Sequence, residues 1–289
     1  MESGQAPGAE EAQRKDQKKS GVRAMTRRSK IWIVVGVSAA AVVGVALLPR
    51  MAQNLAYHQF ADVRTMWGVA NALNVLSNVP FVVVGLMGLA AVLRGWGRAD
   101  EHFIEVRERW PYAIFFAGVT LTCFGSSYYH LAPDNARLVW DRLPMTLGFM
   151  SLFAAMIGER ISLRAGMALL GPLNLAGLAS VVYWWWTESH GAGDLRPYIA
   201  VQFFPLLAIP LMLVMFPGRY TRTVDIWVAV GWYGAAKVLE LLDGQIYRGA
   251  GGVVSGHSLK HVAAAAAAWW VVRMLERREG VIRRHQLGE

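Results

Sequence analysis

The chain has a single cysteine, Cys123, in 289 residues, so no internal disulfide can staple it and the redox state of its surroundings leaves no mark on the sequence. Charge is scarce as well. Asp, Glu, Lys and Arg together make up 17%, while hydrophobic residues make up 55%, a balance that excludes an ordinary soluble domain and points to an integral membrane protein. The apolar runs show no period-two alternation, which excludes a transmembrane β-barrel, and a spanning backbone must then satisfy its own hydrogen bonds as helix. The expected fold class is therefore all-α, a polytopic membrane helical bundle.

Runs approaching the roughly 20 apolar residues that cross a bilayer core fall near 31-48, 69-93, 111-131, 138-158, 166-186, 198-216, 225-242 and 257-275. The polar first 30 residues read as a disordered basic tail, 31-48 as an extra transmembrane helix, 57-276 as a seven-helix core and 277-289 as a basic C-terminal tail. The first apolar run has the alternative reading of a signal peptide, but no small-x-small cleavage pattern follows it. Topology comes from the basic residues. With both termini on one side, that side collects 21 of the 29 Lys and Arg and the opposite connections five, which predicts cytoplasmic termini. The net charge of +9 is then a topology signal that needs no nucleic-acid partner. A compact basic chain of this kind fits a bacterial inner membrane.

Ionisable residues at membrane depth are costly and usually mark a site. Here polar clusters come as Ser126 and His130, then Asp141, then His257 and His261, with each pair four residues apart and so on one helix face. The charge-derived topology brings all five into the outer leaflet, although helix direction was fixed by other segments. Three neutral imidazoles, His130, His257 and His261, make a zinc site with one open position for water, whose pKa falls to about 7 on the metal. Asp141 is placed to take the water proton and return it to a leaving group, with Ser126 as a hydrogen-bonding neighbour. Taken singly, each residue has an ordinary alternative: Asp141 as a helix cap or partner of Arg142, Ser126 as a packing residue beside Gly125, the histidines as interfacial groups. His58, His102, His190 and His285 receive no role.

Asn74, Ser77 and Asn78 lie on one face at the same depth, where they either support a ligand histidine or fix helix packing. Lys237, Glu240 and Asp243 recur at three-residue spacing and read as a charge network bracing the site. Trp67, Trp140 and Trp184 to Trp186 fall near one membrane interface and Trp96 and Trp110 near the other, as aromatic belts do. The Ala263 to Ala268 run allows close approach of a neighbouring helix or of a lipid chain.

These residues carry a resemblance. The segments Asn74-x-x-Ser77-Asn78, Gly125-Ser126-x-x-x-His130, Asp141-x-x-Pro144-Met145 and Ser255-x-His257-x-x-x-His261 resemble, in order and spacing, the alkaline ceramidase family, within a superfamily of seven-span hydrolases that also includes the adiponectin and progestin receptors and the hemolysin III proteins. The resemblance implies a seven-helix core preceded here by one extra helix, zinc on His130, His257 and His261, Ser126 and Asp141 at the metal's water, and hydrolysis of a ceramide amide to a sphingoid base and a fatty acid. It does not carry calcium over. Asn71 stands where an acidic residue is expected, and only Asp62 precedes it. Arg142 likewise replaces an acidic residue, a change that bears on the pocket and the substrate. A seven-helix receptor or sensor with structural zinc, and a proton-coupled transporter using the His and Asp residues as a relay, are the competing readings.

Overall fold

The computed structural model describes residues 25–281. Residues 1–24 of the N-terminal tail and 282–289 of the C-terminal tail, His285 included, lie outside the described residues. Among the described residues the regular structure is helical, with no strand beyond two isolated bridges, Met66 to Val69 and Tyr220 to Gly280. The helices are α1 (Arg27–Leu47), α2 (Ala72–Leu76), α3 (Val79–Leu93), α4 (Arg109–Leu131), α5 (Asn135–Arg160), α6 (Leu163–Ser189), α7 (Arg196–Met215), α8 (Thr223–Leu241), α9 (Asp243–Gly249) and α10 (Gly256–Arg277).

Four of them are long and apolar enough to cross a membrane: α1, α2 with α3 taken together, α6 and α7. The polar residues singled out above fall largely on α4, α5, α8 and α10, which lowers the apolar content of those helices.

Local signals explain where helices begin. Thr26, Asp134, Ser162 and Ser255 sit at the N-caps of α1, α5, α6 and α10, and each side chain accepts a first-turn backbone N–H that would otherwise lack a partner. Asp134, rather than Asp141, therefore caps α5. The span expected over 69-93 is interrupted at Ser77 and Asn78. Pro80, in the first turn of α3, has no N–H to give the Leu76 carbonyl, and the Asn78 amide instead donates to the Asn74 and Val75 carbonyls at 2.9 and 3.3 Å.

Neighbours in sequence pack as neighbours in space, α3 on α4, α4 on α5 and α5 on α6, while α10 closes the bundle against both α8 and α3. One contiguous apolar core built from α3, α4, α5, α7, α8 and α10 fills the centre. Two of the backbone approaches that leave no room for a Cβ position the site. A Cβ on Gly125 would stand 2.0 Å from the Trp140 carbonyl oxygen, and one on Gly256 would stand 2.3 Å from that of Leu239. These two contacts draw the ends of α4, α5, α8 and α10 together at one end of the bundle.

Helix α1 buries only Val34 and leans on α7. Charged donors hold it at both ends. Lys30 Nζ donates to the Met215 carbonyl at 2.7 Å, and Arg196 donates to the Ala46 carbonyl at 2.9 Å. Trp184 departs from the aromatic-belt expectation. It is fully buried, with the Arg142 guanidinium stacked 4.2 Å from its ring centroid, whereas Trp67, Trp140, Trp185, Trp186, Trp96 and Trp110 are exposed as expected.

Candidate metal centre

The helices deliver the three histidines to one point. His130 comes from the last turn of α4, and His257 and His261 from consecutive turns of α10, all three buried. One ring nitrogen from each lies within 4.8 Å of the others, and Nε2 of His130 and Nε2 of His257 are 3.3 Å apart. Two nitrogens at the ~2.0–2.1 Å bond lengths of tetrahedral zinc stand about 3.3 Å from each other. His130 Nδ1 has no hydrogen-bond partner within the protein. The donor set of three imidazoles therefore suits a borderline-soft divalent metal, and the three residues lie close enough to hold one.

Supporting groups orient these rings. Ser77 Oγ is 2.8 Å from His261 Nδ1 and 3.1 Å from the Asn74 carbonyl oxygen. Asn71 Nδ2 donates to the His130 carbonyl at 2.8 Å. Asn74 ties α2 to the start of α10, its Oδ1 accepting from Ser258 Oγ at 2.8 Å and its amide donating to the Asp62 carbonyl at 3.0 Å. Of the three residues read as support or packing, Ser77 meets a histidine directly, Asn74 fixes the helix that carries two of them, and Asn78 braces the break beside them.

Asp141 and Ser126 share the wall of one cavity with His261. Arg142 points elsewhere. It donates to Gln53 Oε1 at 2.7 Å and stacks on Trp184 and Tyr198, and it forms no ion pair with its sequence neighbour. Lys237 and Glu240 do meet, at 2.5 Å, and Lys260 reaches the other Glu240 oxygen at 2.5 Å. Asp243 is not part of that network. It lies beyond the end of α8 in α9, and its two oxygens accept the backbone N–H groups of His257 (2.7 Å) and Ala61 (2.9 Å), positioning the start of α10. An aspartate at that spot favours the positive end of the helix dipole.

The cavity has a volume of about 180 Å³. At the histidine end its wall is polar, with Asp141, Lys237, Glu240 and Tyr57. It then continues between α4, α5, α7, α8 and α10 along apolar side chains such as Phe115, Ile209 and Val271. Ala264, Ala267 and Ala268 form part of this wall, so the alanine run opens space while also packing its neighbours.

Several participants were not singled out in the sequence. Phe60 covers the histidines, its ring centroid 4.7 Å from that of His130 and 4.4 Å from that of His257. Tyr57 donates to Glu240 at 3.2 Å, and His58, bonded to Tyr129 and Asn135 at 2.8 and 2.9 Å, ties the same loop to α4 and α5. Lys260 was legible as a rare charge one position before His261, whereas a loop aromatic offers no such signal.

Asp62 and Asn71, the two residues nearest the expected calcium position, are both engaged within the protein. Both Asp62 oxygens accept from the Arg64 guanidinium, at 2.9 and 2.7 Å, which holds this carboxyl below the usual carboxylate range, and the nearby Asn71 amide is already used.

No protein-family model matches the chain, and no curated protein is significantly similar to it. The site itself therefore has to carry the functional argument.

Proposed function

We propose that this protein is a zinc-dependent intramembrane amidohydrolase that cleaves the amide of ceramide or a related N-acyl lipid into an amine or sphingoid base and a fatty acid. The observation that carries the reading is the 3.3 Å separation of the His130 and His257 nitrogens beside His261, the histidine that lines the polar end of an otherwise apolar cavity. The motif resemblance to the alkaline ceramidases supports the same reaction.

His130, His257 and His261 would hold the metal. Zinc bound there supplies Lewis acidity, polarising a carbonyl oxygen and bringing the pKa of a water to about 7. Asp141 takes a proton from the attacking water onto a carboxylate oxygen and passes it to the amide nitrogen, so that water and amide become acid and amine with nothing left over. Ser126, beside Asp141 in the cavity wall, presents its hydroxyl to the reacting carbonyl. The apolar length of the cavity receives a hydrocarbon chain and excludes water from it, while Glu240 with Lys237 and Lys260 faces the polar end of the substrate. The same reading takes α1 as one span before a seven-helix core, with cytoplasmic termini in a bacterial inner membrane and the histidines near the outer leaflet.

The test is metal content together with turnover. Purified protein is expected to hold about one zinc, His257→Ala to lose both zinc and lipid amidase activity, and Asp141→Asn to keep zinc while turnover falls by roughly 10²–10⁴. Wild-type rates in Asp141→Asn would remove the assigned base. A protein that retains zinc but hydrolyses no N-acyl lipid in a broad screen would favour the sensor reading instead.

A further inference from the structure

A second concavity lies at the other end of the bundle. Asp141 and Arg160 are separated by about 28 Å along α5 at 1.5 Å per residue, close to the thickness of a hydrocarbon core. Around Arg160 the ends of α5 and α7, the start of α6 and the first turn of α1 enclose a pocket of about 960 Å³. Six cations line it, Arg27, Lys30, Arg107, Arg160, Arg164 and Arg219, against two carboxylates, Glu105 and Glu159.

Both carboxylates are already engaged. Glu159 is paired with Arg278 and accepts from Tyr112 at 2.7 Å, and Glu105 is met by Arg107 at 3.2 Å and Arg219 at 3.5 Å. Among the described residues no carboxylate lies within ion-pair distance of Arg27, Lys30, Arg160 or Arg164. Arg27 donates to the Ile161 carbonyl and Lys30 to that of Met215, bonds that satisfy a donor without cancelling its charge. Arg160 is only 8% exposed. Its terminal nitrogens reach the Phe216 carbonyl at 3.4 Å and Thr223 Oγ1 at 2.8 Å, but its buried Nε has no partner. Gly218 keeps this guanidinium accessible to the loop, since a Cβ there would stand 2.8 Å from its Nη1. The pocket also takes in Ser162, Leu163 and Arg164 at the N-terminus of the 27-residue helix α6, where unpaired N–H groups and the helix dipole favour an anion.

We infer that this pocket binds an anionic phosphate group, and that α1, by contributing Arg27 and Lys30, completes the site. A fixed cluster of cations with one buried, unpaired guanidine donor and an aligned helix N-terminus matches a phosphate ester with net negative charge. The phosphate is carried by a lipid headgroup of the adjacent leaflet or arrives as the free ion, and the site stands independently of the metal chemistry.

The full-length protein in a neutral detergent is titrated with phosphatidylglycerol, phosphatidylcholine and inorganic phosphate, and bound ligand is read by native mass spectrometry. Phosphatidylglycerol is expected to bind in preference to phosphatidylcholine, and Lys30→Gln/Arg164→Gln to weaken it roughly thirtyfold, at about one unit of lipid attraction per removed charge. The exposed pair Arg94→Gln/Arg98→Gln, outside the pocket, should leave binding within about twofold of wild type. If the pocket pair fails to fold, Arg164→Gln alone should cost about fivefold. Inorganic phosphate that binds and is lost in the same pocket variant supports the site with the free ion as its source. Equal weakening by both pairs shows diffuse surface attraction, and the absence of both anionic-lipid preference and phosphate binding shows that the pocket holds no anion; either result overturns the inference.

Discussion

Ser77 and His261 meet at 2.8 Å, and the geometry assigns the proton between them. A serine has one hydroxyl hydrogen, and Ser77 directs it to the Asn74 carbonyl at 3.1 Å. Its oxygen must then accept Nδ1–H from His261, which leaves Nε2 of that ring unprotonated and available to a metal. A residue at the break between α2 and α3 thus sets the tautomer of a histidine on α10.

From this follows an expectation for Ser77→Ala. Metal affinity should fall about 10–100-fold, the usual cost of removing the hydrogen-bond partner of a ligand histidine, while Ser77→Thr should keep most of it. Competition for zinc against a chelator of known affinity checks both variants. Unchanged affinity in Ser77→Ala would show that packing alone holds the ring.

Ala268 lies two turns beyond His261 on α10 and borders the apolar part of the cavity. Leucine there should occupy the space that the proposed function gives to a hydrocarbon chain. KM for a long-chain N-acyl substrate is expected to rise about tenfold or more, with a short-chain analogue affected much less, since each buried methylene contributes about 0.8 kcal/mol. Kinetics on an acyl-length series measure the difference. A uniform change across the series would place the chain elsewhere.

Asp194, between α6 and α7, and Arg196, the first residue of α7, link the bundle to α1. The Arg196 guanidinium bonds both Asp194 oxygens, at 2.8 and 2.7 Å, and this holds the carboxyl below the usual carboxylate range. Because the folded value is depressed, the stabilisation is fully present above the unfolded value of about 3.9 and disappears as pH falls through the folded one. Melting temperature measured from pH 6 down to pH 3 should therefore drop more steeply in wild type than in Asp194→Asn. Parallel curves would mean that this pair adds nothing to folding.

The zinc test and the Ser77 expectation probe different levels of one centre. His257→Ala removes a ligand outright, whereas Ser77→Ala leaves all three imidazoles in the sequence and disturbs only their protonation. Metal lost in the first and weakened in the second is the pattern expected of a built site.

Helical periodicity made much of the arrangement readable. His257 and His261 had to share a face because four residues make about one turn, and the paucity of charge in long apolar runs made helix the sole workable spanning structure. Other assignments failed where spacing was the only guide. Asp243 looked like the third member of a row with Lys237 and Glu240, but α8 ends at Leu241, and a periodicity argument has no force past a helix terminus. Trp184 looked interfacial beside Trp185 and Trp186, yet successive residues on a helix point about 100° apart, and this one faces inward onto Arg142.

Composition and local pattern by themselves determined the helical membrane class, the pairing of polar residues on helix faces and the candidacy of the three histidines. Only tertiary structure decided that α4 and α10 approach closely enough to bring the His130 and His257 nitrogens to 3.3 Å, that Phe60 closes over them, and that Arg160 gathers cations from distant segments. The division has a physical basis. Periodicity fixes directions within one helix, whereas distances between helices depend on contacts such as Gly125 against Trp140 and Gly256 against Leu239, whose partners sit on different helices and carry no pattern of their own.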